Sequence, residues 1–90
     1  MSQPPSPSAR PIVCPELGSD AGRVTVWLAE VGEEVTAGDR VVEVLLPGLS
    51  LDVSAGAGGL LSRIDRRNHQ PVASGDVLGW IEPFAAEDGA

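Results

Sequence analysis

The sequence predicts an all-β fold, a flattened β-barrel of two similar halves related by an approximate two-fold axis. Its 11 glycines and 8 prolines separate short apolar runs, which indicates many turns between short strands. Residues 35–39, Val-Thr-Ala-Gly-Asp, return 37 positions later at residues 72–76 as Val-Ala-Ser-Gly-Asp, and each copy leads into a strand. One duplication makes too few units for a solenoid, so we expect two halves that pack face to face.

Two strands are predicted before the centre of the chain. Residues 11–15 carry a proline at both ends, which suits a short strand at the edge of a sheet. Residues 23–30 alternate around Val24, Val26 and Leu28, which predicts a strand with one buried face. A polar loop joins these two strands, and a turn region with Val35 pointing inward follows the second.

A β-hairpin is predicted at the centre of the chain. Two runs of strand-forming residues, 41–45 and 49–53, flank the pair Pro47-Gly48. Proline presets φ for the second position of a tight turn, and glycine accepts the positive φ that a type II turn needs next. This tip contains no nucleophile, acid, base or amine.

The last third of the sequence predicts two more strands, at residues 60–66 and 76–82. A turn of small residues precedes the first of them, and residues 67–74 form a loop between the two. We therefore expect one domain over residues 10–84. A disordered leader precedes it at residues 1–9, and an acidic tail follows it at residues 85–90.

Composition excludes several classes of function. The net charge of −7 argues against nucleic acid, because phosphate binding needs a concentrated basic surface. Cys14 is the single cysteine, so an internal disulfide and a thiolate metal cluster are excluded, and His69 has no second ligand nearby. With no export signal and no membrane-spanning run, we expect a cytoplasmic protein without a membrane partner. The sequence contains no lysine, since its six basic residues are all arginines.

Residues spaced along nearly the whole chain outside its two tails carry a resemblance to a known family. They are Pro15-Glu16-Leu17-Gly18, Gly22, Val24, Trp27-Leu28, Gly32, Val35, Gly38-Asp39, Glu43-Val44, Val53, Gly59, Leu61, Ile64, Val72, Gly75, Leu78 and Ile81-Glu82. In joint order and spacing they resemble the biotinyl/lipoyl carrier domains, and are nearest to the lipoyl domains of 2-oxoacid dehydrogenase acyltransferases. The resemblance implies a barrel-sandwich hybrid of two four-stranded antiparallel sheets, with a modified lysine on an exposed hairpin tip.

The sequence departs from this family at the hairpin tip. The family reads Glu-Thr-Asp-Lys-Ala there, whereas residues 45–49 read Leu-Leu-Pro-Gly-Leu, so that Gly48 takes the lysine position. Lipoate and biotin are held by an amide to a lysine amine, and glycine has no side chain to acylate. Arginine offers no substitute, because its guanidinium stays protonated. We expect no covalent cofactor.

Two surfaces are candidates for contact with a partner. The first is the apolar tip, Leu46, Pro47, Gly48 and Leu49, although both leucines could instead fold inward. The second is the basic cluster Arg63, Arg66 and Arg67, with His69 beside it. That cluster is either a solvated strand end or a docking patch for an acidic partner.

The chain is expected to bind other proteins rather than to catalyse a reaction. One histidine and one cysteine on unrelated segments do not suggest a nucleophile with its base, and no phosphate-cradling glycine loop opens a helix. We expect an interaction or scaffold module whose partner is a 2-oxoacid dehydrogenase component or a second copy of itself. The alternatives are a structural adaptor, like the lysine-less lipoyl-like domains of membrane-fusion proteins, and a relic carrier domain.

Overall fold

A computed structural model describes residues 6–18 and 21–84, and within them it contains eight strands and no helix. The strands are β1 (Arg10–Val13), β2 (Gly22–Trp27), β3 (Glu34–Val35), β4 (Arg40–Leu46), β5 (Leu49–Ser54), β6 (Gly59–Ile64), β7 (Pro71–Val72) and β8 (Val77–Pro83). They form two four-stranded antiparallel sheets, in the orders β1-β8-β6-β3 and β5-β4-β2-β7. The predicted all-β fold with two four-stranded sheets is confirmed.

The internal repeat extends further than the matches visible in the sequence, which are residues 35–39 with 72–76, Gly22 with Gly59 and Val24 with Leu61. Strands β2, β3 and β4 recur as β6, β7 and β8, each 37 positions later and each of the same length. The irregularities recur as well. A register shift between Val24 and Val26 in β2 has its equivalent between Leu61 and Arg63 in β6. The remaining pair, β1 and β5, occupies equivalent edges of the two sheets.

Both copies of the Gly-Asp motif form the same turn. Gly38 and Gly75 have φ values of 94° and 87°, which glycine adopts far more readily than other residues. In each turn the following aspartate, Asp39 or Asp76, accepts a side-chain hydrogen bond of 2.9 Å from the amide three residues earlier. The predicted role of these residues as turn formers is confirmed.

A single apolar core lies between the sheets. Its fully buried side chains include Val24, Val41, Val42, Val44, Leu61, Leu78 and Ile81, and Val35 points inward as expected. Most of these residues belong to β4 and β8, the strands that lie inside each sheet. The central hairpin is therefore held through its inner strand, β4, while its outer strand, β5, borders solvent.

Two strands were missing from the sequence-based expectation. Strand β3 lies in the segment predicted as a turn region, and β7 lies in the predicted loop at residues 67–74. Each has only two residues, which is too short to show the alternation that marks a strand. Long-range pairing creates them: β3 pairs with β6, and β7 pairs with β2.

The predicted alternation of Val24, Val26 and Leu28 is wrong beyond its first residue. Val24 is buried, but Val26 and Leu28 are 38% and 51% exposed. The register shift after Val24 inserts one extra residue, and such a bulge reverses which face the following side chains occupy. Trp27 consequently packs against the core instead.

Part of the predicted leader is ordered. Residues 6–9 form a turn in which the Ala9 amide donates to the Ser6 carbonyl over 3.0 Å. The hydroxyls of Ser6 and Ser8 donate to the Glu82 carboxylate over 2.5 and 2.7 Å. Two residues of the predicted leader therefore have hydrogen-bond partners on β8, and the boundary of the leader at residue 9 stays a prediction. Residues 1–5 and the predicted acidic tail lie outside the described residues.

Candidate functional site

The candidate site is the tip of the β4–β5 hairpin. Pro47 and Gly48 are the two turn residues, both exposed, and Gly48 has a φ of 73°, which fits a type II turn. No heavy atom lies within 4 Å of the position that a Gly48 Cβ would take. A side chain at this position would extend into open space, so Gly48 lies where an attached group could reach outward.

The two leucines beside the turn differ in solvent exposure, although Leu46 pairs directly with Leu49. Leu46 is only 5% exposed, because its Cδ2 lies with Leu17 Cδ1 over the backbone of Gly22. Leu49 is 58% exposed, since it belongs to an edge strand with no neighbour on its outer side. Leu46 is therefore folded inward and reaches only the lining of the groove beside the tip, whereas Leu49 is exposed; contact of either residue with a partner stays a prediction.

A shallow groove runs beside the tip, between the hairpin and the loop that precedes β7. The described residues that line it are largely apolar, contain no carboxylate and include Arg23 and His69. His69 has a φ of 72°, and it is the one non-glycine residue with positive φ in the described part of the chain. The repeat aligns it with Gly32, whose φ is 94°. The sequence analysis named His69 but did not predict its positive φ, and the 37-residue offset to Gly32 was the signal that could have shown it.

The basic cluster is largely paired with carboxylates. Arg63 Nε lies 2.5 Å from Asp65 Oδ1, and Arg66 NH2 lies 3.8 Å from Asp76 Oδ2. Asp65 also accepts a hydrogen bond of 3.0 Å from the indole nitrogen of Trp80. Of the three arginines, Arg67 is the exposed one, and it makes no ion pair with the described residues. Two members of this cluster, Arg63 and Arg66, therefore pair with carboxylates of the same chain.

The groups capable of nucleophilic or metal chemistry are not assembled into a site. Cys14 is buried, and burial first and the charge of Asp76 second raise the pKa of its thiol above the ordinary 9.0. The thiol therefore stays protonated at neutral pH. Among the described residues, no three histidine, cysteine, aspartate or glutamate side chains are grouped so as to hold a metal ion. The same residues contain no helix that could span a membrane.

Comparison with known proteins agrees with this geometry. The family model described as "Biotin-requiring enzyme", that of the biotin/lipoyl domains, matches residues 10–81. The dihydrolipoyllysine-residue succinyltransferase component of the 2-oxoglutarate dehydrogenase complex of Buchnera aphidicola is 33% identical over 74% of this chain and 17% of its own length. The acetyltransferase component of the acetoin cleaving system of Pseudomonas putida is 31% identical over 80% of this chain and 20% of its length.

Solved structures show the same fold. The lipoyl domain of the 2-oxoglutarate dehydrogenase complex of Azotobacter vinelandii has a TM-score of 0.61 and 28% identity, covering 78% of this chain and 89% of that one. Urea carboxylase of Kluyveromyces lactis has a TM-score of 0.78 and 26% identity, covering 91% of this chain and 7% of that enzyme. The chain spans about a fifth or less of the curated relatives that it matches. Because the family model covers most of its length, the chain belongs to the biotin/lipoyl family.

Proposed function

We propose that this domain carries neither lipoate nor biotin and acts by binding protein components of 2-oxoacid dehydrogenase-type complexes. The observation that carries the proposal is Gly48, which takes the attachment position on an exposed turn in a chain without lysine. An amide link needs a nucleophilic amine, and no side chain in the sequence supplies one. On this proposal the domain is not itself an enzyme, and its predicted cytoplasmic location stays a prediction.

The apolar tip supports a binding role. Leu49 is more than half exposed at the place where the family has a charged, extended arm. Beside it, Pro47 is also exposed and borders the groove. Exposed apolar groups that cluster on a small domain often mark an interaction surface. One relative named above is a component of a 2-oxoglutarate dehydrogenase complex and another is a component of an acetoin cleaving system, which supports a protein partner of that class.

The loss of attachment chemistry can be tested directly. The purified protein is incubated with lipoate–protein ligase or biotin–protein ligase, the free acid and ATP, and its intact mass is measured. We expect no mass change in the parent and the addition of one acyl group in the double variant Pro47→Asp/Gly48→Lys. In that variant the side chain at residue 48 meets no atom within 4 Å, and thermal unfolding checks that the variant folds despite the positive φ at this position. Acylation of the parent would overturn this part of the proposal.

The binding role needs a separate experiment. Purified components of a 2-oxoglutarate dehydrogenase complex from the source organism are immobilised one at a time, and binding of the domain is measured. We expect one component to bind, and Leu49→Asp to weaken that binding by about tenfold or more, as when an apolar anchor is lost from an interface. Leu60→Asp is the matched control, because Leu60 is 40% exposed on the other sheet. Binding by no component, or equal loss in both variants, would contradict the proposal.

A further inference from the structure

Strand β5 is an open sheet edge. Among residues 6–18 and 21–84 it is bordered by β4 on one side and by no strand on the other, and β4 is the one strand there with which it makes extensive contact. Leu46 and Leu49 flank a two-residue turn and form the first hydrogen-bonded pair, so alternate residues of β5 bond to β4. The backbone N–H and C=O groups of Ser50 and Asp52 therefore point away from the sheet.

The equivalent edge of the other sheet is blocked. Strand β1 pairs with β8 as β5 pairs with β4. Pro11 lies opposite Trp80, and the equivalent residue of β5 is Asp52, which lies opposite Glu43. Proline has no N–H, and natural sheets use it to keep other strands from pairing with an edge. Strand β1 is also shorter, with four residues against six in β5. One edge of this molecule is protected, and its counterpart is not.

Charge determines which kind of strand the open edge fits. Asp52 is the only charged residue of β5, and its side chain borders a groove lined also by Glu33, Glu34, Asp39 and Glu43. Arg40 is the one cation in that lining, and it lies 3.4 Å from Asp52 on a mostly exposed side chain. An added strand beside Asp52 would meet a negative field, so basic side chains are favoured there.

We propose that β5 is a docking edge for an extended, basic segment of another protein, which adds to the sheet as a fifth strand. Its backbone would bond to Ser50 and Asp52, its apolar side chains would cover Leu49 and the half-buried Leu51, and its basic side chains would face the acidic groove. This goes beyond the proposed function, because it concerns the backbone of β5 and holds whether or not residue 48 has lost a carrier role.

Other occupants fit this edge less well. Residues 1–5 contain two prolines and no basic residue, and residues 85–90 contain two acids and no basic residue. Antiparallel pairing of β5 with a second copy would bring the two Asp52 side chains close together, between molecules that each carry a net charge of −7. A basic segment of another protein avoids both conflicts.

The test uses a capped hexapeptide of alternating arginine and valine as the probe. Its binding to the isotope-labelled protein is followed by NMR, together with hydrogen exchange of the backbone amides. We expect saturable binding that weakens with salt, and slower exchange at Ser50 and Asp52. A peptide of alternating glutamate and valine should not bind, and the same arginine peptide with N-methylated alternate amides should bind about tenfold less tightly.

Two variants at residue 52 separate backbone pairing from charge. Asp52→Asn removes the charge and keeps the N–H, so we expect it to weaken binding severalfold. Asp52→Pro also removes the N–H, so we expect it to abolish binding, and Pro11 shows that proline fits the equivalent position. The proposal is overturned if amide exchange at Ser50 and Asp52 is unchanged at peptide saturation, or if methylated and unmodified peptides bind equally. It is also overturned if the parent forms a dimer through β5.

Discussion

The two halves of this domain share a backbone arrangement and differ in how the last strand of each half is joined to its edge strand. Strands β2, β3 and β4 repeat as β6, β7 and β8, with equivalent turns and register shifts. In one half, Pro47-Gly48 joins the central strand covalently to its edge strand. In the other half, residues 6–9 and the end of β8 meet at the equivalent place, and the hydroxyls of Ser6 and Ser8 bind Glu82 without a covalent link.

This comparison separates residues that serve the fold from residues that are free to serve a function. Features present in both halves, such as Gly38 and Gly75 or the buried Val24 and Leu61, are those that the barrel requires twice. Features present in only one half are not required by the shared plan. The Pro47-Gly48 tip and the open edge of β5 belong to this second group, which is why both carry the functional proposals.

The largest expected effect comes from placing a core residue of one half at the equivalent position of the other half. Gly79 corresponds to Val42, but a Cβ at Gly79 would lie 2.6 Å from the Arg63 carbonyl oxygen and 2.9 Å from Trp27 Cη2. We expect Gly79→Val to reduce the free energy of unfolding by about 3 kcal/mol, measured by urea denaturation, because overpacking forces the core to shift.

A second variant tests whether Trp27 causes this asymmetry. Ile64 is the equivalent of Trp27 in the other half, so Gly79→Val/Trp27→Ile copies the Ile-Val pair that is tolerated there. We expect the double variant to recover about 1 kcal/mol of the loss, even though Trp27 no longer donates its 2.7 Å bond to the Arg66 carbonyl. If the double variant is less stable than Gly79→Val alone, the two halves do not have interchangeable cores.

The next effect tests the equivalence of the two Gly-Asp turns. Neither Gly38 nor Gly75 has an atom within 4 Å of an added Cβ, so a side chain there is disfavoured by the positive φ alone. We expect Gly38→Val and Gly75→Val each to lower the free energy of unfolding by about 1–2 kcal/mol or more. Ala73→Val, at an exposed turn residue without positive φ, is the control. Two well-tolerated glycine substitutions would count against the repeat.

A smaller effect is expected from exchanging the residues at the third equivalent turn. Gly32 and His69 both have positive φ, and their amides donate to equivalent carbonyls, Leu61 over 2.7 Å and Val24 over 2.6 Å. We expect Gly32→His to destabilise by about 1 kcal/mol, and His69→Gly to be neutral or stabilising by up to about 1 kcal/mol. Thermal unfolding measures both variants. Destabilisation by both would show that the His69 side chain makes a contact of its own.

The smallest effect concerns the non-covalent closure at the chain ends. Hydrogen bonds from Ser6 first and Ser8 second lower the pKa of Glu82 below its ordinary 4.5. A lowered pKa stabilises the folded state above the ordinary value, and that contribution is lost as the pH falls through the folded pKa. We expect Ser6→Ala/Ser8→Ala to return the pKa of Glu82 toward 4.5 in an NMR titration. An unchanged pKa of Glu82 would contradict these hydrogen bonds. As a control, the amide signal of Gly48, at the covalent tip, should not shift in the double variant.

Much of the fold could be predicted from local sequence. The turn glycines, the central hairpin and the all-β class all follow from residue types a few positions apart. In the sequence the repeat was visible at residues 35–39 and 72–76 and in the pairs Gly22–Gly59 and Val24–Leu61. Most other equivalent positions share burial rather than identity, as Trp27 and Ile64 show. Strands β3 and β7 escaped prediction because partners far away in the sequence create them.

The sequence by itself determined that no lysine amine is present. Whether a chain has an amine to acylate depends on its residues and not on their arrangement, so the lack of lysine and the glycine at position 48 were evident before any coordinates. Only the tertiary structure decided which groups face outward. Leu46 is covered by packing against Gly22, Leu49 is left open by its place on an edge, and Arg63 and Arg66 meet carboxylates. Exposure and pairing depend on neighbours brought together from distant parts of the chain, which local sequence patterns do not specify.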